Sequence, residues 1–239
     1  MRKTAIFVEG QTEQILVREL LLKTFQYQNI AIECFSLFQD YNLIPTEYPF
    51  PNESAEHYFQ ILNVGNDNSV LSRMLRREAF MLNAGFTKII GLRDMYSKDY
   101  RDAVKNATID DNVNKHFIEM TRMQIKSPNM SFSYAIMEVE AWMLGLSHCF
   151  EKIDKRLTNE YLLGEIGVNL KEIDPEKTFL NPAKVIEIIF ELIGKNYSKS
   201  KGDINAIVHF FEKEDFIDLL KSEKCASFKE FYEYLLSFN

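Results

Sequence analysis

The sequence predicts an α/β protein, with a mainly parallel sheet flanked by helices and followed by a helical C-terminal region. Three observations predict it. Short apolar runs rich in β-branched and aromatic residues alternate with longer segments of helical periodicity over residues 1–147. Alternation of this kind is how strands joined by helical crossovers read in sequence. From Phe150 onward the strand signal disappears while helical periodicity continues, so residues 148–239 read as a helical region packed on the first.

Taken in order, residues 3–8 run apolar and read as a buried strand. Residues 11–27 carry Ile15, Leu16, Leu20 and Leu22 at helical spacing. A second strand follows over 30–37. Residues 40–55 hold Pro45, Pro49 and Pro51 and read as a loop or a poor edge strand. Residues 57–64 are a third strand candidate. The turn Gly65-Asn66-Asp67-Asn68-Ser69 comes next, with Ser69 as N-cap of a helix to about 83 and Ala84-Gly85 at its end. Residues 87–92, TKIIGL, form a buried strand ending at Arg93-Asp94. Residues 110–125 read as helix, and 131–137 as a strand that runs directly into a helix over 138–146. Further helices are expected over 157–163, 182–193, 204–211, 216–220 and 228–238.

Composition bounds the function. The chain has 239 residues, 46% hydrophobic and 26% charged, as soluble globular proteins do. No apolar run approaches the roughly 18 residues of a membrane span, and no small-residue cleavage site follows the N-terminal apolar segment. Cys34, Cys149 and Cys225 stand far apart with no CxxC pair, which fits a reducing cytoplasm. A formal charge of -7 argues against non-specific affinity for nucleic acid, so any nucleic acid is gripped locally or through a partner. No GxxxxGK[ST] sequence is present, so this chain is not itself an ATPase of that type.

Acids fall at strand ends. Glu9 ends the first strand, Asp94 ends TKIIGL, and Glu138 and Glu140 follow the last strand. In open α/β sheets ligands sit beyond the carboxyl ends of the strands. Carboxylates crowded there repel unless cations join them, and hard oxygen ligands select Mg²⁺ or Mn²⁺. One such acid alone is ordinarily solvated or caps a helix. Gly10 permits a sharp strand-to-helix turn and a close approach to phosphate. Glu13, one helical turn after Glu9, either faces the same ion or complements the helix N-terminal dipole.

The run IFVEGQTEQILVREL resembles the first motif of Toprim domains, the fold shared by topoisomerases, primases and overcoming-lysogenization-defect nucleases. Three further segments are similar to an uncharacterised Toprim-like family often encoded beside ATPases in bacterial defence regions. They are IIGLRDMYS, SFSYAIMEVEAWMLGL, and the set NPAKVI, NYSKSKGD and KCASFKEF. The resemblance implies a divalent-metal-dependent nuclease or phosphoesterase acting on nucleic acid, in anti-phage defence or DNA repair, with a separately encoded ATPase as partner. It implies that Glu9 is a general acid/base or metal ligand, Glu13 the second acid of that motif, and Asp94 the first aspartate of an Asp-x-Asp pair. Tyr96 stands where the second aspartate is expected. Tyrosine is a poor Mg²⁺ ligand, so Glu138 or Glu140, or less directly Asp99, has to compensate, and Tyr96 is left to orient water or phosphate. The alternative is a non-catalytic module that senses a nucleotide or docks on the ATPase.

Phosphate chemistry also needs cations. Lys199 and Lys201, in a loop read from NYSKSKGD, and Lys184, near a helix start, are candidates to stabilise a phosphoryl oxygen, with Lys199 closest to a catalytic role. The plain reading is a solvated loop. Arg93 either binds phosphate or pairs with a carboxylate. Trp142 reads as a core anchor under the acidic edge. The four histidines show no metal-ligand spacing.

Overall fold

The computed structural model describes residues 1–39, 41–66, 69–104 and 108–237. Asp40, Asp67, Asn68 and Phe238, which belong to expected loop, turn and helix segments, lie outside the described residues. Six strands form one sheet: β1 (Arg2–Val8), β2 (Ile30–Phe38), β3 (Asn42–Pro45), β4 (His57–Asn63), β5 (Lys88–Asp94) and β6 (Met130–Ala135), in the order β3-β2-β4-β1-β5-β6. The β1–β4, β1–β5 and β2–β4 pairs are parallel, as expected. Ile6 of β1 lies between Ile61 of β4 and Ile90 of β5. All three are fully buried. That explains the continuous apolar runs, because strands covered on both faces have no solvent side to make polar.

Of the two readings of 40–55, the edge strand is partly right. Residues 42–45 are β3, antiparallel to β2, with Pro45 opposite Phe35 on the outermost strand. Proline is tolerated there because its missing N–H costs no interior ladder bond.

Helix α1 (Gln11–Thr24) packs on β4 and β2, and α2 (Val70–Asn83) packs on β1. Helix α1 stops three residues short of expectation, because Gln26 and Tyr27 take left-handed φ values of 50° and 60°. Gly91 in β5 is required by packing: a Cβ there would lie 2.4 Å from the Phe132 ring of β6.

The remaining helices are α3 (Lys98–Ala103), α4 (Asp111–Arg122), α5 (Glu140–Gly145), α6 (His148–Ile153), α7 (Asn159–Ile166), α8 (Pro175–Thr178), α9 (Pro182–Glu191), α10 (Lys201–Val208), α11 (Lys213–Lys221) and α12 (Ala226–Leu236). Three of them, α3, α6 and α8, are too short for periodicity to announce them. The helix expected from 138 begins at Glu140, since Met137 turns the chain with φ 63°. Lys201 is the first residue of α10 rather than part of a loop. No helix among the described residues is long and apolar enough to cross a membrane.

Two compact units divide the chain. One comprises Met1–Arg93, Lys115–Tyr134 and Phe231–Asn239 and holds the sheet. The other comprises Asp94–Asn114 and Ala135–Glu230. Within this second unit α5 packs on α8 and α9, α7 on α9, and α6 on α10.

Candidate functional site

Asp94 is the last residue of β5, Glu138 lies three residues past β6, and Glu140 opens α5. The segments that follow β5 and β6 stay paired. Met95 N–H donates to the Ala135 carbonyl at 2.9 Å, and Tyr96 N–H to the Met137 carbonyl at 2.8 Å. Met137 then turns in its left-handed conformation, and Val139 N–H donates to Asp94 Oδ1 at 3.0 Å. A non-glycine residue is held at positive φ only where its surroundings fix it. The result is that Asp94, Glu138 and Glu140 each offer a carboxylate oxygen within 4.8 Å of the other two.

A lysine from far along the chain joins them. Lys199 Nζ lies 2.9 Å from Glu138 Oε1 and 3.0 Å from Glu140 Oε1. Lys199 is itself left-handed, with φ 56°. The turn that carries it is built by Asp203, whose Oδ2 accepts the Ser198 N–H at 2.8 Å, the Ser198 hydroxyl at 2.9 Å and the Ser200 N–H at 3.2 Å. Ser200 in turn caps α10. NYSKSKGD is therefore an ordered helix entrance that presents one ammonium inward, not a loose solvated loop. Two more donors complete the shell. Tyr197 donates its hydroxyl to Glu140 Oε1 at 3.0 Å, and Ala183 N–H, in the first turn of α9, donates to Glu138 Oε2 at 3.1 Å. The latter puts a carboxylate at the positive end of a helix.

Burial sets the electrostatics. Glu140 has 0% exposure, and desolvation raises its pKa. The Glu138 charge adds to the rise, and Lys199 opposes it. Burial works against the charge on Lys199, but the Glu140, Glu138 and Asp94 carboxylates outweigh it and raise its pKa above the ordinary value. The Tyr197 hydroxyl is raised as well, by burial and then by Glu140, so it stays a donor. Among the described residues, the three carboxylates stand together with the Lys199 ammonium. The second oxygen of Glu140, Oε2, is buried without a hydrogen-bond partner among the described residues. A buried carboxylate oxygen in that condition calls for a proton or a cation.

The other anticipated residues are placed as follows. Glu9 follows β1 directly and is half-buried. Glu13 is buried in the first turn of α1, and its Oε2 accepts the Gly10 N–H at 2.7 Å. It thus closes the helix N-terminus, one of the two roles open to it. Gly10 has an extended backbone, φ −147°, so the turn does not demand glycine. What its missing Cβ spares is a 3.1 Å approach to the Glu13 carboxylate. Both acids belong to the sheet unit, whereas Asp94, Glu138, Glu140 and Lys199 all belong to the other. The Arg93 guanidinium lies over the Tyr134 ring at 5.7 Å. Lys184 is exposed and pairs with Glu187 at 2.8 Å, and Lys201 is exposed at the start of α10. The Tyr96 ring lies under the Arg101 guanidinium at 5.2 Å, and Asp99 is exposed in α3.

Tyr197 and the Ala183 N–H escape sequence reasoning. Tyr197 stands two residues before Lys199 in NYSKSKGD, which is the signal that was there to be used; a backbone donor leaves none. Comparison with protein-family models, with curated proteins and with solved structures finds no match, so the arrangement of these side chains is the ground on which function is argued.

Proposed function

We propose that the Asp94–Glu138–Glu140 group binds a divalent cation, Mg²⁺ or Mn²⁺, and serves phosphodiester hydrolysis on nucleic acid, in keeping with the Toprim-like resemblance and its bacterial defence or DNA repair setting. The observation that carries the reading is the buried Glu140 Oε2, which has no hydrogen-bond partner among the described residues, inside a group of three carboxylates. The donor set fits such an ion: all oxygen, all carboxylate, and close enough to share it. Asp94, Glu138 and Glu140 would hold the ion, which supplies Lewis-acid polarisation of a phosphoryl oxygen when bound. The chain's own groups do the rest. Val139 N–H and Ala183 N–H fix Asp94 and Glu138, and Tyr197 fixes Glu140. Lys199, held as a cation, supplies positive charge for a phosphoryl oxygen once its carboxylates have another partner. Glu9 as general acid/base rests on the resemblance alone.

The test is calorimetric titration of Mn²⁺ and Mg²⁺ into the wild type, Asp94→Asn and Glu140→Gln, followed by hydrolysis assays on DNA and RNA. Binding in the wild type that is lost in both variants is expected. A wild type that takes up neither ion at millimolar concentration sinks the reading.

One observation favours a second reading. Lys199 already pairs with one oxygen each of Glu138 and Glu140 without any ion. A non-catalytic module that senses a nucleotide or docks on an ATPase partner would use the same group of side chains with Lys199 as its phosphate ligand. Nucleotide binding without divalent ion, lost in Lys199→Met, would mark that case.

A further inference from the structure

A second buried polar cluster lies in the same unit, around Glu176 of α8. Among the described residues, its carboxylate receives three donors, all of them neutral. Trp142 Nε1–H donates to Oε1 at 2.9 Å, the Ser227 hydroxyl donates to the same oxygen, and Ser227 N–H donates to Oε2 at 3.2 Å. Ser227 Oγ also accepts the Ile136 N–H at 3.2 Å and lies 2.9 Å from Trp142 Nε1. Since Ile136 and Trp142 both bring hydrogens to that oxygen, the one hydroxyl proton of Ser227 goes to Glu176.

These bonds have a simple relation to the acidic site. Ile136 stands two residues before Glu138, and Trp142 two residues after Glu140. The geometry points to Glu176 and Ser227 as positioning residues that clamp both ends of the segment carrying Glu138 and Glu140, and so set the spacing of those carboxylates around a cation. This rests on the divalent-ion reading above. Neither residue is offered as a ligand. Their place is behind the ligands, where partners are commonly worth about 10- to 100-fold in metal affinity.

The wiring favours one protonation state. All three groups that reach Glu176 are donors, so the ionised carboxylate satisfies every bond, whereas a protonated one sets its own O–H against them. Burial nevertheless raises its pKa to about 7, with Asp174 adding to the rise and the Ser227 and Trp142 bonds opposing it. The titratable and charged groups around it are Asp174, which Lys177 Nζ approaches at 3.2 Å, and Cys225, whose N–H donates to Asp174 Oδ1 at 3.1 Å and whose thiol is raised by burial, with Lys224 acting on it. The clamp therefore tightens as pH rises through about 7.

The experiment is Mn²⁺ calorimetry from pH 6 to pH 8 on the wild type, Glu176→Gln, Ser227→Ala and Ser227→Thr, each checked for folding by circular dichroism. Trp142 is the single tryptophan, so its fluorescence reports the clamp in the wild type without any variant or metal. We expect the wild type to lose affinity as pH falls and its fluorescence to titrate near the same pH. Glu176→Gln should bind about tenfold more weakly at pH 8 and lose that part of the pH dependence, Ser227→Ala should weaken binding about tenfold, and Ser227→Thr should restore it. Folded variants that bind Mn²⁺ as the wild type does, with the same pH profile, overturn the clamp and leave the metal reading standing. Should both variants fail to fold, a wild-type fluorescence that stays flat from pH 6 to pH 8 overturns it instead. A wild type that binds no Mn²⁺ at any pH overturns both.

Discussion

Glu140 and Glu176 are both removed from water in one unit, yet they are accommodated in opposite ways. Glu140 sits beside a cation, Lys199, with two other carboxylates in the same group, and one of its oxygens has no hydrogen-bond partner. Glu176 has both its oxygens met by neutral hydrogen-bond donors. The difference teaches how to tell a ligand from a strut. A buried carboxylate whose two oxygens both receive donors is engaged in holding its neighbours. One that keeps an unmet oxygen among further carboxylates still has something to bind.

The largest effect should come from the strut. Trp142 is 1% exposed and packs edge-on against Phe228 with ring centroids 5.5 Å apart. Trp142→Ala is expected to cost about 4 kcal/mol in urea unfolding, because a buried aromatic leaves a cavity. Trp142→Phe keeps most of the ring but loses the Nε1–H bonds, so a loss of about 1–2 kcal/mol is expected, the remainder of the alanine effect being ring packing.

Next in size is the pH dependence of Glu176. Its folded pKa of about 7 lies above its ordinary 4.5. Between those values the folded chain binds a proton that the unfolded chain has lost. Its contribution to stability is therefore complete below about 4.5 and disappears as pH rises to about 7, in total about 3 kcal/mol. The stability difference between wild type and Glu176→Gln, followed from pH 4 to pH 8, isolates this share. A difference that does not change with pH would contradict it. The sign is opposite to that of the expected metal affinity, which separates the two roles in one pH series.

Lys199→Met breaks the other region. It leaves Glu138 and Glu140 without their ammonium, at a cost of about 2 kcal/mol, less than for a fully buried pair because the Lys199 side chain is 38% exposed. Millimolar Mn²⁺ should restore the melting temperature if the carboxylates accept an ion in its place; no recovery would argue for the lysine as their permanent partner. The smallest change is Tyr197→Phe. Loss of one hydroxyl from Glu140 Oε1 should cost about 1 kcal/mol, read as a small shift of the urea midpoint.

Much of the sheet was legible because burial on both faces writes itself as unbroken apolar runs, as in β1, β4 and β5. Strand β3 was harder, since four residues with a proline resemble a loop until a neighbour pairs with them. Asp94, Glu138, Glu140 and Lys199 could be named from strand ends and one basic segment. That they meet could not, because Lys199 comes 61 residues after Glu138. The start of α5 was misjudged by two residues, because a methionine in the left-handed region gives no sign in a sequence whose usual marker for that conformation is glycine. Glu176 was invisible for a related reason: Pro175-Glu176 reads as an ordinary helix entrance, and its partners Trp142 and Ser227 lie 34 and 51 residues away.

The interleaving of the two units has a consequence for the order of synthesis. Chains commonly fold as they emerge from the ribosome, earlier domains first. Here the sheet unit begins at Met1, but the stretch it draws from Phe231 onward comes after the whole of the other unit. Neither unit occupies one uninterrupted span, so no single cut through the chain frees either of them intact. A nascent chain halted at Tyr134 would hold all of β1–β5 and nearly all of β6, yet lack Glu138, Glu140 and Lys199. The sheet strands are thus synthesised before the candidate site has its full set of residues, and the site is completed only when Lys199 has been made.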